Sequence, residues 1–157
     1  NHLDQAIRLC LREQIKQIYL VLTSGSPTLV QDIQSLVYRH ELPSSIVQIV
    51  PAEFGSGGAL ALQKENLAFP FLLIWVDAQL VTPQSLAQAF TFHRQHHSCL
   101  TQLLHSSGSQ HFRFSGIAIA EPEIIQSIPS GIASLRESVF PELLKAGKVR
   151  GYLISTT

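Results

Sequence analysis

Phe71-Leu72-Leu73-Ile74-Trp75-Val76-Asp77 is the stretch on which the fold turns. Six apolar residues in a row read as a buried strand, and the strand ends on a carboxylate. In open α/β sheets the carboxyl ends of the strands face the crevice where ligands bind. An unpaired carboxylate there is costly. Asp77 is therefore either a metal ligand or the turn or capping residue of a strand end.

Upstream, Leu3, Ile7, Leu11 and Ile15 recur at four-residue spacing and predict a helix. Gln17 to Leu22 reads as a strand, Ser24-Gly25-Ser26-Pro27 as a turn, and Leu29 to about His40 as a helix ended by Pro43. Ser45 to Val50 is a second strand, Pro51 to Gly58 a loop, and Ala59 to Leu67 a short helix. Downstream, Thr82-Pro83 opens a helix with Thr as cap and Pro in the first turn. Cys99 to Leu104 and Phe112 to Ala120 follow as strands, the second interrupted at Ser115-Gly116. Pro122 starts a short helix broken at Pro129-Ser130-Gly131. Ser134 to Lys145 is a helix stopped by Gly147, and Val149 to Ile154 is a last strand. This alternation predicts a three-layer α/β/α domain over residues 1–157 with a mostly parallel, Rossmann-like sheet.

The chain has 157 residues, enough for one domain with a real core. Hydrophobic residues make up 45% and charged residues 14%, which excludes a disordered chain. Eleven basic residues balance eleven acidic ones without a Lys/Arg run, so neither nucleic acid nor an anionic membrane is an expected partner. Cys10 and Cys99 match no metal or redox spacing, and a reduced, cytoplasmic chain is expected. The chain starts at Asn1 and contains no Met, so it is expected to be excised, processed or incomplete.

Three segments, in order, resemble the sugar-1-phosphate nucleotidyltransferase (nucleoside-diphosphate-sugar pyrophosphorylase) family. Gly55-Ser56-Gly57-Gly58-Ala59-Leu60 is similar to the family's G-T-A-G-A-L loop over the nucleotide base. Phe71 to Leu80 resembles its F-L-V-L-N-G-D-V-L segment, and Phe92-His93-Arg94 its F-H-R helix end. Phe114-Ser115-Gly116-Ile117 and Val139-Phe140-Pro141-Glu142-Leu143 are similar to its N-A-G-I-Y strand and V-F-P-x-L helix. The resemblance implies an enzyme that joins a nucleoside triphosphate to a sugar-1-phosphate, releasing pyrophosphate. It implies Mg²⁺ at Asp77, nucleotide contacts at Gly55, Ser56, Gly57 and Gly58, and a sugar contact at Gly116. From its place after six apolar residues, Asp77 is expected to end a central parallel strand and face an open crevice, and strand ends sharing one edge of a parallel sheet put Gly55 to Gly58 beside it.

The same residues have plainer readings. The glycines suit any tight turn, Gly116 suits a β-bulge, and Glu53 is either a base contact or solvated. Ser24-Gly25-Ser26 lacks the Lys of a phosphate loop and reads as a cap. His93, His96 and His97 have zinc-like spacing but no Cys or carboxylate to complete a set. The family pattern also breaks. Its G-x-G-T-R and W-x-D-x-G-T segments are not found here, Leu104 to Phe112 is short where the family has an E-K-P excursion, and Trp75-Val76 stands where it has N-G. The chain alone is accordingly expected to be inactive. Two competitors follow: a non-catalytic regulatory or subunit-contact domain on the same fold, and a GT-A-type glycosyltransferase. The latter's D-x-D is not met, since Trp75 and Gln79 flank Asp77 at two residues. A homo-oligomer is left open.

Overall fold

The structure is a computed structural model that describes residues 2–13, 15, 18–22, 27–42, 47–49, 54–75, 77–79, 81–108, 111–130 and 133–154. In chain order the elements are α1 (His2–Arg12), β1 (Leu20–Leu22), α2 (Pro27–Arg39), β2 (Val47–Ile49), α3 (Gly55–Ala61) and β3 (Phe71–Ile74). They continue with α4 (Pro83–His96), β4 (Leu100–Ser106), β5 (Phe112–Ala120), α5 (Phe140–Lys145) and β6 (Val149–Leu153). Single 3-10 segments occupy Lys64–Asn66 and Pro122–Ser127, and a π-helical turn occupies Leu135–Val139. The turn expected at Ser24 to Ser26 and the breaks expected at Pro43 and Gly131 lie outside the described residues.

The main sheet has the order β3-β5-β4-β6, and β1 pairs with β2 separately. β4 and β6 are parallel, as are β1 and β2, but β5 runs antiparallel to both β3 and β4. The sheet is thus mixed, which corrects the mostly parallel expectation. The cause is the short link between β4 and β5, closed where Ser107 N–H donates to the His111 carbonyl at 2.8 Å. So few residues can join only antiparallel neighbours, since a parallel pair needs a crossover of a dozen or more.

Alternation along the strands divides the core. On one face Leu100, Ala118 and Ala120 pack with Leu60, Leu135, Val139, Phe140 and Leu143, and Leu73 and Trp75 lie against them. On the other, Leu103, Ile117 and Ile119 pack with Leu9, Leu86 and Ala89, with Leu72 and Ile74 against them. Hence α3 and α5 cover one face, and α1 and α4 the other. α4 shows how sequence produces this. The Thr82 hydroxyl accepts from the Ser85 N–H at 3.1 Å, Pro83 stands in the first turn, and Leu86, Ala89 and His93 fall on one buried stripe. Leu86 is fully buried, so Leu86→Ala should cost about 2–5 kcal/mol.

A smaller cluster joins Ile33 and Val37 of α2 to Leu3, Ile18, Leu20 and Leu42. Beside it Asp4 of α1 meets His40 at 2.7 Å and Arg8 at 3.0 Å. Among the described residues no helix is long and apolar enough to cross a membrane.

Candidate functional site

β3 ends at Ile74, yet the chain stays fastened to β5 beyond it. Trp75 N–H donates to the Gly116 carbonyl at 2.9 Å, and Gln79 N–H to the Ser115 carbonyl at 2.8 Å. Between these ties Ala78 N–H donates back to the Trp75 carbonyl at 3.0 Å, closing a tight turn with Asp77 exposed at its tip. The opposing stretch of β5 is irregular. Gln102 faces Ala118 while Leu104 faces Phe114, so β5 carries extra residues across Ser115 to Ile117. Gly116 sits there with φ +90°, and a Cβ on it would lie 2.9 Å from Ala78 Cα and Cβ. The bulge and the Asp77 turn are therefore one packed unit.

The strand's setting is different from the one expected. Among the described residues β3 is the end strand of the four-stranded sheet and its partner is antiparallel, so the central parallel strand expected ahead of Asp77 is not found among them. The large cavity beside β3 is lined as far as Trp75 and does not include Asp77.

Gly55, Ser56, Gly57 and Gly58 do not form a loop. They are the first residues of α3. Gly55 has φ +68°, and Cβ atoms on Gly55 and Gly57 would come 2.5 Å and 2.9 Å from the Ala133 carbonyl oxygen. Gly57 N–H donates to that oxygen at 2.7 Å, and Leu135 N–H donates to the Ser56 hydroxyl at 2.8 Å. These residues thus clasp the 133–135 segment. The next residue, Arg136, lays its guanidinium 5.8 Å from the Trp75 ring centroid and 5.1 Å from that of Phe114. Contacts therefore run from Gly55–Gly57 through residues 133–136 to Trp75, two positions before Asp77. Arg136 is a cation at this end of the sheet that the sequence reading missed. The only signal available was its place just ahead of Val139-Phe140-Pro141.

Trp75 packs edge-on against Phe114 and Phe140, with centroids 5.7 and 6.0 Å apart. Val76, Glu53 and Ser24-Gly25-Ser26 lie outside the described residues.

The three histidines part company. His93 turns inward, where its Nδ1 lies 2.7 Å from the Thr101 hydroxyl and its Nε2 3.0 Å from a Glu121 carboxylate oxygen. A carboxylate only accepts, so in the neutral ring Nε2 donates to Glu121 and Nδ1 accepts from Thr101. Ser98 completes the network at 2.7 Å from Thr101. His96 is exposed and stacked on Phe92, and His97 is the left-handed cap with φ 49°. Thr101 is wholly buried, so this Ser/Thr–His–Glu arrangement locks α4 to β4 rather than presenting a nucleophile.

Both thiols are poor nucleophiles. Burial pushes Cys10 up to about 11. Burial, and then the hydrogen bond to and charge of Glu123, push Cys99 up to about 11 as well. Among the described residues no group of three or more His, Cys, Asp or Glu converges on a metal position. One exposed carboxylate suits Mg²⁺ only in the way that ion is held by one or two carboxylates, water and substrate phosphates.

No family model matches the chain, and no curated protein matches it. Solved structures do. A Bacillus anthracis protein assigned as a glucose-1-phosphate thymidylyltransferase, solved with sucrose, superposes with TM-score 0.73 at 14% identity, over 96% of this chain and 72% of its own. HddC from Yersinia pseudotuberculosis matches with TM-score 0.68 at 15% identity, over 96% and 75%. The inositol-1-phosphate CTP transferase of T. maritima matches with TM-score 0.68 at 12% identity, over 96% and 72%. At these identities the likeness concerns architecture, and the chain has the α/β fold shared by these solved structures.

Proposed function

We propose that residues 1–157 form a sugar-1-phosphate nucleotidyltransferase domain, three-layered and Rossmann-like, that transfers a nucleotidyl group from an NTP to a sugar-1-phosphate and releases pyrophosphate. The observation that carries this reading is the Asp77 turn, fastened at Trp75 and Gln79 to the β5 bulge at Ser115-Gly116. That arrangement fixes one carboxylate at a strand end without burying it. Phosphoryl-type transfer asks the protein mainly to position two anions and balance their charge. Asp77 would supply one oxygen to Mg²⁺, which when bound neutralises charge on the triphosphate. Arg136, steadied on two rings, brings a positive charge to the same end of the sheet. Gly55 to Gly58 would border the nucleotide, and Gly116 the sugar.

A second reading, a non-catalytic regulatory or subunit-contact domain on the same fold, has its own support. Trp75, Phe114 and Phe140 pack together beside the turn, and among the described residues no group of three or more His, Cys, Asp or Glu forms around Asp77.

The test is calorimetric titration with several Mg²⁺–NTP pairs, followed by pyrophosphate release with sugar-1-phosphates. Nucleotide binding that is lost in Asp77→Asn supports the first reading whether or not turnover is seen. Absence of binding by every NTP supports the second.

A further inference from the structure

Arg136 rests on a built surface. Trp75, Phe114 and Phe140 meet edge-on in a triangle, with ring centroids 5.7 to 6.0 Å apart. The guanidinium lies over two of these rings, 5.1 Å from the Phe114 centroid and 5.8 Å from that of Trp75. The backbone beneath it is pinned, since Leu135 and Val139 are buried and the Leu135 N–H is tied to the Ser56 hydroxyl. The side chain itself is exposed, and among the described residues no carboxylate pairs with it. Ring faces engage the charge of a guanidinium but give its five N–H donors no in-plane acceptor. The cation stands on the β5 side of the Asp77 turn. Phe114, the nearer ring, leads directly into Ser115-Gly116, where the acceptor sugar would lie. Phe112, two residues earlier on the same face of β5, is 60% exposed and offers a further apolar surface to a sugar ring.

We propose that Arg136 binds an oxyanion that the acceptor sugar carries besides its reacting phosphate. The preferred acceptor is then an acidic sugar-1-phosphate, with a carboxylate or a second phosphate on the ring. This rests on the nucleotidyl-transfer reading of the Asp77 turn. In that reading the reacting phosphate gathers at the Mg²⁺ on Asp77, and Arg136, on the sugar's side of the turn, is left for a second group. A hydroxyl would take one N–H of the guanidinium. An oxyanion takes two at once, in charged hydrogen bonds about twice as strong as neutral ones. A guanidinium already ordered on two rings also loses little freedom when it binds.

The experiment saturates the chain with an α,β-methylene NTP analogue, tried across the common bases with Mg²⁺, and then titrates sugars calorimetrically. The probes are glucose-1-phosphate, glucuronic acid-1-phosphate and glucose bisphosphate. The expected result is that at least one of the two sugars with an added oxyanion binds about tenfold or more tighter than glucose-1-phosphate. Which of the two does so tells a carboxylate from a second phosphate. Arg136→Gln should erase that preference, and Arg136→Lys, which keeps the charge without the fork, should keep only part of it. Arg136 is exposed, so both variants should fold, and the wild-type preference is read independently of them. No preference in the wild type overturns the proposal. So does a preference that survives in Arg136→Gln, since an equal loss for all three sugars assigns the guanidinium to the phosphate they share. Bound nucleotide with no sugar bound also overturns it, while the nucleotide-binding part of the reading stands. Absence of binding by every analogue is a separate failure, that of the nucleotidyl-transfer reading itself, and the proposal falls with it.

Discussion

Gly116 of β5 and Ala78, the residue after Asp77, approach so closely that a single added methyl group on the glycine would meet Ala78 Cα and Cβ at 2.9 Å. The turn that exposes Asp77 can therefore be loosened from β5 by one substitution that leaves Asp77 itself in place.

Gly116→Ala should lower stability by about 1–3 kcal/mol through overpacking, in addition to strain at φ +90°. Gly108→Ala is the control, because Gly108 has φ +87° with nothing within 4 Å of a new Cβ. Urea unfolding of the two variants should separate clash from strain. Equal losses would mean that the contact with Ala78 is unimportant.

Removing the imidazole of His93 leaves Glu121 without its Nε2 donor and Thr101 without its Nδ1 partner. His93→Ala should cost about 1–3 kcal/mol at neutral pH, from two lost hydrogen bonds and the hole left at a buried position. His96→Ala, at an exposed position, should change stability little. Denaturant midpoints compare the two, and a similar shift in both would contradict the role given to the buried network.

Asp4 is held below its usual range chiefly by the His40 hydrogen bond, and further by Arg8, against a smaller opposing effect of burial. A depressed carboxylate stabilises the fold above its unfolded value and loses that contribution as pH falls through the folded one. The α1–α2 contact should hold at neutral pH and weaken from about pH 4 downward. Asp4→Asn should abolish that part of the acid dependence, measured as unfolding midpoint against pH between wild type and variant.

Cys99 Sγ lies 2.9 Å from a Glu123 oxygen, and after burial it is this carboxylate that keeps the thiol protonated. Glu123→Gln removes the negative charge, so the thiolate fraction should rise at any pH below about 11. Alkylation by iodoacetamide at pH 8.5 should speed up several-fold at Cys99 and stay unchanged at Cys10. Unchanged Cys99 labelling would show that burial alone sets its reactivity.

Much of the fold is legible in the sequence because its signals are local. The cap at Thr82, the apolar periods of α1 and α4, and the stop at Gly147 need no knowledge of distant contacts. Strand direction is not local in the same way, though the brevity of the link from β4 to β5 already forbids a parallel crossover. Glycine's poor helix propensity makes Gly55 to Gly58 read as a loop. Their helical state is set by Ala133, far along the chain, whose backbone leaves no room for a Cβ at Gly55 or Gly57. Residues 134 to 145 read as one helix, whereas Pro141, which has no N–H to donate, stands where a π-helical turn gives way to α5. His93, His96 and His97 share a face only in a helix that continues. Here α4 ends at His96 and the left-handed cap swings His97 away. At the candidate site, Asp77 and Gly116 were visible as a strand-end carboxylate and a strand glycine. Arg136 was not, because a ring-stacked cation leaves no pattern in sequence.

Trp75 is the chain's single tryptophan, and it stands between Phe114, Phe140 and Arg136 on one side and the cavity beside β3 on the other. The molecule thus carries one indole emitter, placed between that cavity and the exposed carboxylate. Its light comes from this spot alone, so wavelength and intensity become a label-free gauge of local events. An apolar group entering the cavity beside β3 would dry one side of the ring and shift emission to the blue. An anion drawing the Arg136 guanidinium off the ring would alter intensity instead, letting one optical signal tell the two events apart.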